Sequence, residues 1–259
     1  ETLELAGDVN GDGFDDLLLG GHRWDQDGND VGSIDVISGG VERLDGRIQV
    51  VCFPLLRHIG NEVSGNLGIS GIGLGDLDGD GCDDFAVGAE GESGGGPGRQ
   101  GVVWVFKGAG GAGCSQDFFV TRFQTGESQG RFGTSMDAGD LDGDGVFDLL
   151  VGARNRLVNG SGTGGAWLVT GDMLTSTPYY PLFEALQHEP VNLNEAQNVI
   201  QVSGAVVGSE FGRAVAISGN VMAVGSPSDA VDGVTPVGRV RLYRLDTDNH
   251  TMSEFGLFV

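Results

Sequence analysis

Gly139-Asp140-Leu141-Asp142-Gly143-Asp144-Gly145-Val146-Phe147-Asp148-Leu149-Leu150-Val151-Gly152-Ala153 is the stretch from which the rest of the chain can be read. Asp140, Asp142 and Asp144 alternate, Gly145 follows, and Asp148 closes the loop before an apolar run. Alternate short carboxylates in a tight turn converge on one point, and a hard cation suits that point. Calcium takes about six to eight oxygens, so loop positions 1, 3, 5 and 9 with the backbone carbonyl of position 7, here Val146, nearly fill its sphere. Glycine at position 6 permits the turn, because a β-carbon would clash at positive φ.

The pattern occurs twice more. Asp76, Asp78, Asp80, Cys82 and Asp84 stand in the same register before Phe85-Ala86-Val87, and Asp8, Asn10, Asp12, Phe14 and Asp16 do so before Leu17-Leu18-Leu19. At Phe14 and Cys82, as at Val146, only the main-chain carbonyl would be a ligand. Asn10 offers an amide oxygen, which calcium accepts. Three copies in register predict three Ca2+ sites. An EF-hand or dockerin loop needs an acid at position 12 and a helix after it. Position 12 is Leu19, Val87 and Val151, and the apolar runs suit short buried strands. The loops are therefore expected inside β-hairpins. Asp15 and Asp83, beside position 9, are expected to be extra surface charges.

The chain has 259 residues with 49 glycines at turns between apolar runs, the composition of an all-β fold with many tight connections. Its net charge of -23 stays strongly acidic with three dications bound, which argues against nucleic acid or an anionic membrane surface as partner. No apolar run is long enough for a membrane-spanning helix. The sequence opens at Glu1 without an initiator Met, which points to processing or to a piece of a longer protein. Of Cys52, Cys82 and Cys114, a Cys52–Cys114 bridge is the expectation if any forms. Asn159-Gly160-Ser161 and Asn249-His250-Thr251 are glycosylation sequons in a eukaryotic secretory route.

The loops begin at Asp8, Asp76 and Asp140, about 65 residues apart, and each unit carries further apolar runs. A fourth unit, Glu210 to Pro227, replaces the acidic loop with Gly219-Asn220, a two-residue hairpin turn. A unit of this size with about four strands is a β-propeller blade. Four antiparallel blades are predicted over residues 1-60, 61-125, 126-205 and 206-252, and residues 253-259 are expected to open a further blade. That last expectation rests on Ser253-Glu254-Phe255-Gly256 repeating Ser209-Glu210-Phe211-Gly212. Because the two ends duplicate rather than complement each other, the chain is expected to be part of a larger propeller.

Phe132-Gly133, then Asp-x-Asp-x-Asp-Gly-x-x-Asp, three apolar residues and Gly152-Ala153 resemble the FG-GAP repeat, which builds the seven-bladed propeller head of integrin α chains. Leu67-Gly68 stands where unit two should have Phe-Gly, and only Gly225-Ser226-Pro227 keeps the closing Pro. The resemblance implies a secreted or cell-surface protein, calcium on one rim, and a protein or glycan ligand on the other face. Other domains of the same longer chain are further expected partners. Catalytic patterns are missing from the sequence: His22, His58, His188 and His250 show no metal spacing, and there is no nucleophile elbow. A non-catalytic interaction or adhesion module is thus expected, with a propeller-based enzyme or lectin as the alternative. His22 with Trp24 is expected to be a plain loop pair, with a sugar-lining surface as the alternative, and Trp104 and Trp167 are expected to pack between blades.

Overall fold

The computed structural model describes residues 2–25, 29–40, 55–96, 98–108, 118–158, 160–196, 199–230, 236–246 and 251–258. Cys52, Cys114, Asn159 and Asn249 lie outside these residues. Four antiparallel four-stranded sheets follow one another along the chain. The first comprises β1 (Thr2–Gly7), β2 (Asp16–Gly20), β3 (Ser33–Ile37) and β4 (Leu56–Ile59). The second comprises β5 (Leu67–Gly75), β6 (Asp84–Ala89), β7 (Val102–Lys107) and β8 (Phe119–Gln124). The third begins with β9 (Phe132–Gly139) and β10 (Asp148–Ala153), and a small hairpin of β11 (Leu157–Val158) and β12 (Ser161–Gly162) precedes its third strand, β13 (Gly165–Val169).

An insertion follows β13: α1 (Gly171–Ser176), β14 (Tyr180–Pro181), α2 (Leu182–Ala185) and β15 (Val191–Asn192), before β16 (Val199–Ser203) completes the third sheet. Instead of lying on its own sheet, the insertion pairs β14 and β15 with β8 of the second. It covers an edge that would otherwise present unpaired backbone groups. Arg122 of β8 fastens it, donating to the carbonyls of Ala185 (3.1 Å) and His188 (2.5 Å). The fourth sheet is β17 (Ala214–Ser218), β18 (Val221–Ser226), β19 (Arg239–Asp246) and β20 (Thr251–Phe258). Ser218 pairs with Val221, so Gly219-Asn220 is the two-residue turn expected from the sequence.

Each sheet is a blade, and the blades stack face to face through their first strands, β5 lying between β1 and β9, and β9 between β5 and β17. Side chains alternate across a strand. In β6 and β7, Phe85, Val87, Trp104 and Phe106 face the first blade, while Ala86, Val103 and Val105 face the third. In β10 and β13, Leu149, Val151, Trp167 and Val169 face the second blade, while Leu150, Ala166 and Leu168 face the fourth. Burial on both faces is why these strands read as unbroken apolar runs. Trp104 and Trp167 are buried between blades, capped by the guanidinium groups of Arg122 (5.1 Å) and Arg156 (4.8 Å).

Residues 253–258 do not open a further blade; they belong to the last strand of the fourth, Thr251 pairing with Asp246 and Phe258 with Val240. The reason lies in the Phe-Gly step. Phe132 and Phe211 are fully buried and followed by glycines at φ 84 and 85. Leu67-Gly68 does the same, with Leu67 buried and Gly68 at φ 85. Phe255 is 49% exposed and Gly256 does not adopt positive φ, so the letters recur without the conformation.

Candidate metal-binding loops

The three acidic loops join the first and second strands of the first three blades, and their hydrogen bonds repeat from blade to blade. The position-1 carboxylates receive the backbone N–H of position 6: Gly13 to Asp8 (2.7 Å), Gly81 to Asp76 (2.9 Å) and Gly145 to Asp140 (3.0 Å). Position 3 receives the N–H of position 5, as Asp12 to Asn10, Asp80 to Asp78 and Asp144 to Asp142. Position 5 receives the N–H of position 7, as Phe14 to Asp12, Cys82 to Asp80 and Val146 to Asp144. Gly13, Gly81 and Gly145 stand at φ 89, 92 and 93, where a β-carbon is disfavoured.

These turns bring side-chain oxygens together. Asp76, Asp78 and Asp80 each place a carboxylate oxygen within 4.8 Å of the others, and Asp140, Asp142 and Asp144 do the same. Oxygens about 2.3–2.6 Å from a calcium ion lie up to about 5 Å apart across it, so the donor set and its spacing fit that ion. In the first loop, Asp8 and Asn10 both accept from the Asp12 N–H, at 2.9 Å each. Phe14 is exposed at position 7, whereas Cys82 is buried and Val146 packs into the core between the second and third blades.

Asp16, Asp84 and Asp148 at position 9 are fully buried. Each spans the blade. One oxygen accepts from position 2 of its own loop: Val9 (3.0 Å), Leu77 (3.1 Å) or Leu141 (2.9 Å). The other accepts from the glycine just past the third strand: Gly39 (2.8 Å), Gly108 (2.8 Å) or Gly171 (2.9 Å). This link is absent from the sequence reading, although Ser38-Gly39, Lys107-Gly108 and Thr170-Gly171 stand at matching places. Those glycines are needed for contact: a β-carbon on Gly39 would meet the Asp15 carbonyl at 2.2 Å, and on Gly171 the Val146 side chain at 2.7 Å.

Asp83 is not the surface charge expected of it. Its carboxylate accepts from the Asp8 N–H (2.8 Å) and its own N–H donates to the Asp8 carbonyl (2.9 Å), tying the first two loops together. Asp15 is exposed.

Burial, opposed by the two backbone donors, raises Asp16 to about 6, Asp84 to about 7 and Asp148 to about 6 from an ordinary 3.8. Burial also raises Asp142, with the charges of Asp144, Asp140 and Asp172 adding to it. A carboxyl raised in the folded state stabilises the fold fully below its ordinary value and loses that contribution as pH climbs through the raised one. The metal-free protein is therefore expected to melt higher at about pH 5 than at about pH 8, and added calcium, which needs the ionised loops, to stabilise more at the higher pH. Calorimetry in chelator and in calcium at both pH values checks this; metal-free melting that rises with pH contradicts it.

The opposite rim carries the residues in strained left-handed conformation: Asp30, Ser64, Asn66, Gln129, Arg131 and Glu210. Glu90 there accepts from Arg131 (3.1 Å), Arg154 and Thr134 (2.8 Å), joining the second blade to the third. Burial pushes Glu90 up, but these donors outweigh it and hold the carboxylate below its usual range. His22, Arg23, Asp30, Asn66, Glu90 and Arg99 line a polar hollow between the first two blades. Trp24 is 41% exposed.

A chain of antiparallel four-stranded blades that follow one another and stack face to face has the blades of a β-propeller. The FG-GAP repeat model matches residues 69–106 and 132–169, so the second and third blades are FG-GAP repeats. The chain is similar to integrin α chains: 39% identical to integrin alpha-5 of Xenopus laevis over 57% of this chain and 14% of that protein. Integrin alpha-PS2 of Drosophila melanogaster is 35% identical over 56% of this chain and 11% of its own length. Integrin alpha-D of Homo sapiens is 29% identical over 73% of this chain and 15% of its own length. The chain thus spans between about one ninth and one seventh of the length of these relatives.

Proposed function

We propose that this chain is a calcium-stabilised section of an extracellular β-propeller that acts as a non-catalytic interaction module of the adhesion type. The observation that carries the reading is the repetition of one loop, with the same hydrogen bonds at one end of three successive blades and carboxylate oxygens drawn together in the second and third. In each loop the side chains of positions 1, 3, 5 and 9 would hold Ca2+ with the carbonyl of Phe14, Cys82 or Val146. The ion would cancel repulsion among the carboxylates and fix the leading hairpin. Similarity to integrin α chains supports a cell-surface or secreted setting and a macromolecular ligand. The rim opposite the loops, with its polar hollow and left-handed residues, is the surface for that ligand, a protein in the first instance. The exposed Trp24 beside His22 favours a glycan as the second reading.

The section belongs to a larger ring, of seven blades by resemblance. Its two outer faces support this: Leu3 (66% exposed) and Leu5 (58%) on the first blade, and Val237, Leu257 and Phe258 on the fourth, lack the cover that inner blades give one another. Such faces mark interfaces.

Extracellular calcium sites of this kind bind at about 10⁻⁴ to 10⁻³ M. At about 1 mM calcium, mass action then contributes roughly 0.4 to 1.4 kcal/mol per site. Three sites together should raise the melting temperature by about 2–8 °C. Thermal melts with calcium and with chelator test the reading, and coincident melts would remove it.

A further inference from the structure

Lys107 is the only lysine in a chain of net charge -23, and it ends the third strand of the second blade. Its ammonium is paired with the carboxylate of Asp78, position 3 of the second acidic loop. On its other side it lies 4.6 Å from the centre of the Tyr179 ring, which the insertion of the third blade brings across. Tyr179 is itself held by donating its hydroxyl hydrogen to the Leu174 carbonyl (3.1 Å). A strained surface pairing would leave a long side chain free to wander; here both the carboxylate and the ring fix it, and it is only 20% exposed.

The same place is neutral in the other two blades. The residue before the strand-ending glycine is Ser38 in the first, where its hydroxyl meets Asn10 (3.3 Å) and Asp12 (3.4 Å). It is Thr170 in the third, and there the nearby Asp172, in the first turn of α1, adds a negative charge instead. The three loops therefore share one backbone design but differ in the charge set beside position 3.

We propose that Lys107 is a built-in placeholder cation of the second loop, which must leave Asp78 before that loop can take a divalent ion, so that this loop fills last. This rests on the calcium reading above. The amine satisfies Asp78 without metal and repels an incoming dication, two effects that both weaken uptake. Once displaced, it keeps its contact with the Tyr179 ring, a favourable place for an ammonium. The second loop is then the one whose occupancy is sensed by the insertion and hence by the junction of the second and third blades.

A chain with one lysine makes the test direct. In protein labelled at lysine, the Lys107 ε-methylene gives one side-chain NMR signal, and calorimetry counts total calcium uptake. The Lys107 signal should move only at calcium concentrations about tenfold above those that fill the other two sites. In Lys107→Met the weak site should tighten by about that factor, and Ser38→Lys should weaken the first loop by as much. A signal that moves with the first ions bound, or unchanged affinities in both variants, overturns the placeholder role. No calcium uptake in any of the three proteins overturns the calcium reading and this inference together.

Discussion

Gly152→Ala should lower the unfolding free energy by about 3 kcal/mol or more, the upper range for forcing atoms into a packed interior. A β-carbon there would sit 2.0 Å from the carbonyl oxygen of Gly212 and 2.4 Å from the Ser135 hydroxyl. Gly212 belongs to the Phe-Gly step of the following blade, and Ser135 donates to that same carbonyl (3.0 Å). The contact recurs: Gly88 would meet the Gly133 carbonyl at 2.2 Å and Gly20 the Gly68 carbonyl at 2.3 Å. The glycine that closes the second strand of one blade and the glycine of the next blade's opening step thus mark one physical event, backbone pressed on backbone at the blade junction. Gly225 of the fourth blade is the control. Its nearest neighbour would be the Ala214 carbonyl at 3.5 Å, so Gly225→Ala should change stability in this chain by less than about 1 kcal/mol. Urea unfolding of both variants decides; equal effects would refute the junction argument.

Asp84→Ala should cost about 3 kcal/mol even in the presence of chelator. The substitution leaves the N–H groups of Leu77 and Gly108 buried without their acceptor, at roughly 1–3 kcal/mol each. Asp84→Asn retains one acceptor oxygen and should recover about half of that. Because both variants are compared without metal, the loss reports the carboxylate's structural bridge rather than calcium. Chelator-insensitive stability equal to wild type in Asp84→Ala would show that the bridge carries no weight.

The acidic loops and the blades were legible in the sequence because short-range chemistry dictates them. Alternating Asp with glycine at position 6 marks a tight oxygen-lined turn, and the unbroken apolar run Leu149-Leu150-Val151 after it, in place of an acid at position 12 and a helix, marks a strand buried on both faces. What the letters hid is long-range. Asp83 reads as a duplicate of Asp84, yet it bonds across a blade boundary to Asp8. Asp84 reads as a ligand alone, yet it also anchors the end of β7 through Gly108. The insertion after β13 lacks any strong period, since its short strands borrow their partner β8 from the neighbouring blade. Ser253-Glu254-Phe255-Gly256 misled for the opposite reason. It copies a motif whose meaning lies in a buried ring and a left-handed glycine, and it has neither.

The central claim is that three turns each enclose a divalent ion. Counting bound calcium by equilibrium dialysis at about 5 mM free calcium, several-fold above the weakest expected dissociation constant, tests it most directly. Three ions per chain are predicted, falling to two when Asp140 and Asp142 are both replaced by alanine. A wild-type count of zero, or a count unchanged by that double replacement, would contradict it.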